Sequence, residues 1–493
     1  MQPRRLHWTV QTVRTPALVG TPAHATRRRL CRGPCAHLVG IDLGTTNSSV
    51  AVLGDRGPLV IAVDEDGRRS VPSVVALGVD GEGDVLTLQD WDASRGDVFY
   101  SFKRIIGLRP EEISPSVREC LRYDVLANDT DEATPGCVVS YGGGNTTTPI
   151  ALSSAVVRHL IEVSSAYYGG LPMWEGSSEN VPIEGAVIAV PAHFTPSQKQ
   201  ATINAAQIAG IHNVHLLQEP VAAALAYGID GGTDGETVLV FDWGGGTFDV
   251  SVLQAFEGIM EILGTDGNQF LGGDDIDQLL VESIAALDAP LAGPDDDAAL
   301  RAACRNAKEA LAEADVSRIY VEGAVDTRMT RDDLERLCEP LFEEIATVLD
   351  RIGKDLFIEW RVGPFDAIAG RRQGAYQINH METETHGDGD GDGDGDGEVT
   401  MKVSRDPWAP PPRKITKVVL VGQITRLQMV VNYIHRVTGI EPDCSVDPGE
   451  AVAIGAATQA GILDGSVGSV ELMDGSYSID LHDRTTGFSN WQP

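Results

Sequence analysis

The 493-residue chain lacks any run of 18 or more apolar residues, so no membrane-spanning helix and no membrane insertion are expected. Positive charge is also scarce. Lys and Arg number 38 against 72 Asp and Glu, a formal net charge of −34. A surface of that sign repels nucleic acid, which argues against a general nucleic-acid partner. The seven cysteines, at 31, 35, 120, 137, 304, 338 and 444, form no CxxC pair. That spacing points away from a zinc site or a disulfide framework and towards a reducing compartment. No GxxxxGK[ST], HExxH or GxSxG motif is present, which removes the P-loop, zincin and hydrolase-elbow explanations.

Acid is missing altogether from residues 1–41, where Arg4, Arg5, Arg14, Arg27, Arg28, Arg29 and Arg32 stand. An arginine-rich, acid-free leader over 1–37 reads as a mitochondrial or plastid transit peptide. The lack of serine before Ser48 speaks for the alternative, a stretch ahead of the true domain in a cytoplasmic protein. Between 361 and 413 the chain loses periodicity and contains the repeat HGDGDGDGDGDGE at 386–398, read as a disordered insert. Asp388, Asp390 and Asp392 imitate the start of a calcium loop. Val399 stands where its closing glutamate is required, so the linker reading is preferred.

Local signals divide the remainder into alternating strands and helices. GAVIAV at 185–190 predicts a buried strand ended by Pro191. Thr195 then predicts an N-cap, with Pro196 at the first helical position and Gln198 completing a capping box. A second strand, 214–217, leads into Glu219 and Pro220, which places Glu219 on a strand-to-helix turn.

Two segments carry chemistry. GIDLGTTNSSVAVL, 40–53, sets Asp42 at a strand end, then Gly44, Thr45 and Thr46 in a turn. Its bare backbone and hydroxyls can cradle phosphate, and Asp42 can hold Mg²⁺ through water. VLVFDWGGGTFDVSVL, 238–253, repeats the design with Asp242, Gly244, Gly245, Gly246, Thr247 and Asp249. Two such hairpins about 200 residues apart predict a duplicated fold gripping one phosphate chain from both sides. A third turn, KVVLVGQITRLQ at 417–428, suits a nucleoside and contributes Gly422 and Arg426.

In this order the motifs resemble the ATPase domain of the DnaK-type heat-shock chaperones. The resemblance runs over roughly 38–465. It includes DGRRSVPSVVAL at 66–77, FKRIIG at 102–107, AVPAHFTPSQKQATINAAQIAG at 189–210, LLQEPVAAALAYGID at 216–230, LGGDDID at 271–277 and DPGEAVAIGAATQAGIL at 447–463. It implies an α/β, actin-like ATPase fold with ribonuclease H-like duplicated lobes around a nucleotide cleft. Lobe I would span about 38–235 with a returning C-terminal segment, and lobe II most of 236–445. It also implies ATP or ADP as ligand, Mg²⁺ with K⁺ as an optional companion, and slow ATP hydrolysis in protein folding and stress response. J-domain co-chaperones and nucleotide-exchange factors would be partners of a monomer.

By the same resemblance Asp42 and Asp242 look like the pair holding Mg²⁺ through water. Thr45 and Thr247 look like the hydroxyls facing the terminal phosphate. Lys103 looks like the catalytic lysine, Glu219 and Asp249 like the carboxylates ordering the attacking water. Lys308 looks like the ribose-contacting lysine, and Pro191 and Lys199 like the relay between lobes. Departures cluster at the nucleoside end. Gln423 and Ile424 follow Gly422 where the family has Gly and a small residue, Gly449 replaces an Asp, and Arg305 and Glu309 invert charges around Lys308. A weakened, less base-selective site is the expectation, with a regulatory module of the chaperone machinery as the alternative function. The segment 466–493 is expected to be a short tail too small for a client-binding domain, with Val470–Asp474 as a linker remnant.

Overall fold

Alternating apolar residues with β-branched side chains build two sheets of the same plan. The computed structural model describes residues 37–369, 411–465 and 471–472, apart from short segments at 55–56, 78–82, 86–96, 122, 129–135, 143, 171–180, 230–234 and 286–293. The arginine-rich leader, the Gly-Asp repeat and most of the tail lie outside the described residues.

In the first sheet β1 (Leu38–Leu43), β2 (Asn47–Gly54) and β3 (Gly57–Val60) run antiparallel in succession. On the other side of β1, β4 (Gly185–Val190) pairs parallel, followed by β5 (Asn213–Gln218). In the second sheet β6 (Glu236–Trp243), β7 (Phe248–Phe256) and β8 (Ile259–Asn268) again run antiparallel, and β9 (Lys417–Val421) pairs parallel with β6. The repeated order is the structural form of the duplication expected from the two Asp-Gly-Thr segments, and the fold is the actin-like one. In the second sheet the far edge is completed by β10 (Glu471–Leu472), parallel to β8 with Ile259 opposite Glu471. The first two residues after Val470 in the expected linker remnant therefore sit on a sheet edge.

Each sheet has its own core. Ile41, Val50, Ile106, Leu160 and Ile188 pack in the first; Phe241, Trp243, Phe248, Phe342 and Tyr433 pack in the second. A third, smaller cluster joins them. Val187 and Ala189 of the first sheet and Val240 and Val421 of the second share it with the helices Glu219–Ala226 and Ala451–Leu463. The contacts there are between small residues. A methyl group on Gly455 would lie 1.7 Å from the carbonyl oxygen of Ala222, and one on Gly40 would lie 2.0 Å from the amide nitrogen of Ala457. The helix that returns near the C-terminus thus reaches the backbone of both β1 and the helix headed by Glu219.

The capping signals act as the chemistry requires. Thr195 Oγ1 accepts from the Gln198 amide at 3.3 Å, and Gln198 Oε1 accepts from the Thr195 amide at 3.1 Å, starting the helix Pro196–Ile208. Both edges of the segment 361–413 carry structure. Pro364–Ala369 forms a helix inside its near edge, and Arg413 at its far edge bridges to Ile358. The helix is too short for a periodic signal. Tertiary bonds hold it: Tyr433 Oη donates to the Pro364 carbonyl at 3.2 Å and Arg436 Nε to that of Ala367 at 3.2 Å.

Candidate functional site: the cleft between two glycine turns

The turn after β1 is closed so tightly that a Cβ on Gly44 would come within 2.0 Å of the Asn47 carbonyl oxygen. Ser73, from the 66–77 stretch, braces it. Its hydroxyl donates to the Gly44 carbonyl at 2.8 Å, and its amide donates to the Thr46 carbonyl at 2.8 Å. The turn after β6 is closed by the Gly244 amide donating to the Thr247 carbonyl at 3.0 Å. The two turns meet: a Cβ on Gly245 would stand 2.8 Å from Thr46 Oγ1. Glycine is therefore required at 245 by the opposite lobe. Thr45 lies half-buried in the first turn, and the Thr247 hydroxyl hydrogen-bonds Asp249.

Carboxylates gather beside these turns. Asp42 ends β1, and Asp242 of β6 lies opposite Asp249 of β7 in the sheet register. Pro191, Glu219, Asp242 and Asp249 line one recess between the lobes. Burial pushes the Asp42 carboxyl up to about 7, Lys103 opposing and Glu219 adding. Burial pushes Asp249 to about 7 as well, with Glu219 adding and Lys103 and Arg104 opposing. Asp242 is raised well above the ordinary carboxylate range by burial, then by Glu219, Asp249 and Asp42. Acids this crowded favour a cation among them.

One protein cation is already there. Lys103, on the short 3₁₀ turn Phe102–Arg104, sets its Nζ 2.6 Å from Glu219 Oε1, with both side chains largely buried. Burial disfavours the lysine charge, but Glu219 and Asp42 outweigh it and leave the pKa above the ordinary value. Lys103 is thus a fixed positive charge, oriented by a glutamate at the N-terminus of the helix Glu219–Ala226.

Three residues around the cleft carried no sequence signal that singled them out. Arg104 crosses from the first lobe to the second: one guanidinium nitrogen donates to the Gly246 carbonyl at 2.9 Å, another to that of Gln269, and the group lies over the Phe270 ring. His193 sets its Nδ1 3.9 Å from Asp249 Oδ1, and burial lowers its pKa. Ser73 is the brace described above.

The expected nucleoside end is arranged differently. Gly422 has φ +83°, and a Cβ there would meet the Trp243 carbonyl oxygen at 2.3 Å, so this turn abuts the second glycine hairpin. Lys308 Nζ lies 2.7 Å from Asp277 Oδ1 and donates to the Gly273 carbonyl at 2.9 Å. Arg426 is paired with Asp447. Asp42, Thr46, Lys103, Glu219, Asp242, Gly245, Gly246 and Asp249 are therefore brought together, whereas Lys308 and Arg426 are engaged by protein carboxylates beside them.

Comparison with known proteins shows the family. The family model described as "Hsp70 protein" matches residues 38–359 and 409–486. The "Chaperone protein DnaK" of Trichormus variabilis is 35% identical over 454 residues, covering 89% of this chain and 56% of its own length. "Heat shock 70 kDa protein 7, chloroplastic" of Arabidopsis thaliana is 31% identical over 454 residues, covering 89% of this chain and 54% of its own. The chain thus spans about half the length of the curated relatives it matches. With the two matched hairpins and the lysine–glutamate pair between them, the chain belongs to the Hsp70 family.

Proposed function

We propose that the cleft binds Mg²⁺-ATP and slowly hydrolyses its terminal phosphoanhydride, as a chaperone ATPase acting in protein folding. The observation that carries this reading is the 2.6 Å pair of Lys103 and Glu219, set between two glycine hairpins and three raised carboxyls. Asp42 and Asp242 would hold Mg²⁺ through its waters. Burial raises both carboxyls, and the charge of a divalent ion held there would favour their ionised forms. The ion supplies charge neutralisation on the phosphates.

The chain's own groups do the rest. In this reading the backbone amides of Thr45, Thr46, Gly245 and Gly246 and the Thr45 hydroxyl take the phosphate oxygens, while the Gly244 amide and the Thr247 hydroxyl, bonded to the Thr247 carbonyl and to Asp249, shape the second turn. Glu219 holds the Lys103 ammonium where charge develops as water attacks the terminal phosphorus and the bond to the bridging oxygen breaks. Asp249, which burial raises to about 7, would orient that water and accept its proton. Catalysis in this reading is positioning plus charge stabilisation. Phosphate release by the full chain with Mg²⁺-ATP tests it.

A second reading, a nucleotide-binding regulatory module of chaperone machinery, is favoured by the engagement of Lys308 with Asp277. Tight nucleotide binding with no phosphate release would select it. J-domain co-chaperones and exchange factors are the partners either reading implies. The acid-free leader, together with a relative named chloroplastic, supports targeting to a plastid or mitochondrion. A fusion of residues 1–41 to a fluorescent protein tests that.

A further inference from the structure

In the antiparallel pair of β1 and β2, Asp42 stands directly opposite Ser49. In the pair of β6 and β7, Asp242 stands directly opposite Asp249. Residues so placed project from the same face of a sheet, with Cβ atoms about 5 Å apart. Each lobe therefore sets an oxygen-bearing side chain of the returning strand beside its strand-end aspartate. Asp249 receives the Thr247 hydroxyl. Ser49 receives nothing: it is 3% exposed, and its Oγ has no hydrogen-bond partner among the described residues.

The surroundings give that hydroxyl no role in packing. The other face of the same strands carries Ile41 and Val50, which pack in the first core, and Ser48, whose hydroxyl bonds that of Ser73 at 2.8 Å. On the face of Asp42 and Ser49, the neighbouring pair is Gly40 and Ala51. Ala51 packs with Ala453 and Ala457, and a Cβ on Gly40 would meet the Ala457 backbone. Small apolar residues suffice there, and Ser49 follows them, beside a carboxyl that Lys103 and Glu219 also act on.

A hydroxyl has one donor and two acceptor sites, and burying them unpaired costs stability that an alanine would keep. A bond made only when a ligand is present removes that cost. Its partner has to suit a place beside a carboxylate. A phosphate oxygen would bring negative charge towards Asp42, whereas the waters of a divalent ion donate to any oxygen near them. Mg²⁺ keeps several of its waters when carboxylates and phosphates hold it, and the groups that fix such an outer shell tune its affinity. A serine supplies an acceptor without adding charge to acids already crowded. Resting on the Mg²⁺-nucleotide reading above, we propose that Ser49 is a positioning residue of the metal site. Its hydroxyl accepts from a water of the ion that Asp42 and Asp242 hold, as the neutral counterpart in the first lobe of Asp249 in the second.

The test is equilibrium binding of ADP, which leaves hydrolysis out, to the full chain across a Mg²⁺ titration, beside Ser49→Ala. The variant is expected to need about tenfold more Mg²⁺ for half-maximal enhancement of ADP binding. Its ADP affinity in EDTA is expected to match that of the natural chain. Its melting temperature without metal and nucleotide should be equal or higher, since an unpaired buried hydroxyl is removed. A residue that only fills space would do the reverse, lowering that temperature and leaving the Mg²⁺ requirement alone. An unchanged requirement therefore overturns the proposal. So does an equal loss of ADP affinity with and without the ion, which would set the hydroxyl against phosphate. Ser49→Cys, close in volume but a weak acceptor, keeps the test open should alanine loosen the fold. It is expected to raise the Mg²⁺ requirement too, and a natural requirement in that variant contradicts the account. Mg²⁺-dependent binding that ignores residue 49 removes this proposal alone. If the natural chain binds ADP without regard to Mg²⁺, or not at all, the Mg²⁺-nucleotide reading falls and this proposal with it.

Discussion

At the scale of single residues, two features set the behaviour of the cleft: crowded acids and one arginine that reaches across it. Asp42 and Asp249, both raised to about 7, hold protons in the folded protein that the unfolded chain has released above the ordinary carboxylate range. Between roughly pH 4 and 7 the folded state therefore binds more protons than the unfolded one, and stability falls as pH rises. The metal-free protein is expected to melt at lower temperature at pH 8 than at pH 5.5, and Mg²⁺ with nucleotide should flatten that difference. A metal-free melting temperature that rises over this range would contradict the arrangement.

Arg104 acts differently, as a positioning residue whose bonds to Gly246 and Gln269 hold the second hairpin towards the first lobe. Arg104→Ala is expected to weaken nucleotide binding by about tenfold while leaving the single-turnover rate at saturation within about threefold, since no reacting atom is touched. Unchanged affinity would remove that role. Neither Arg104 nor Ser73 was legible in the sequence. Their bonds join positions far apart in the chain, and each residue alone reads as an ordinary polar side chain.

At the scale of elements, what the sequence showed was local chemistry. The capping box at Thr195, the proline-headed helix at Glu219 and the paired glycine hairpins all follow from interactions within a few residues, and all are present. The helix Pro364–Ala369 escaped because six residues cannot show a helical period and its support comes from Tyr433 and Arg436. The engagement of Lys308 escaped for the same physical reason, since Asp277 lies on another helix.

The small-residue contact between the helices Glu219–Ala226 and Ala451–Leu463 is likewise a product of packing, and it carries a prediction. A methyl on Gly455 would collide with backbone, not with a side chain that could turn away. Gly455→Ala is expected to destabilise the fold by about 3 kcal/mol, read as a lower denaturation midpoint with unchanged slope. A shift within about 0.5 kcal/mol would show that the two helices are not held at this distance.

At the scale of the whole molecule, the duplicated sheets explain why the site needs both lobes. Each contributes a strand-end aspartate and a glycine turn, but the lysine comes from one lobe alone, fixed by Glu219 at the head of a helix that packs in the core shared by both sheets. In the proposed function a polyanion would be held locally, by the hairpin amides, Lys103 and a metal ion, so a net charge of −34 does not stand against nucleotide binding. All of this converges on Lys103. Single-turnover hydrolysis of Mg²⁺-ATP by the full chain beside Lys103→Ala is the most direct test. The account predicts slow hydrolysis by the natural chain and a loss of about 100-fold or more in the variant, with nucleotide still bound; equal rates in the two proteins would contradict it.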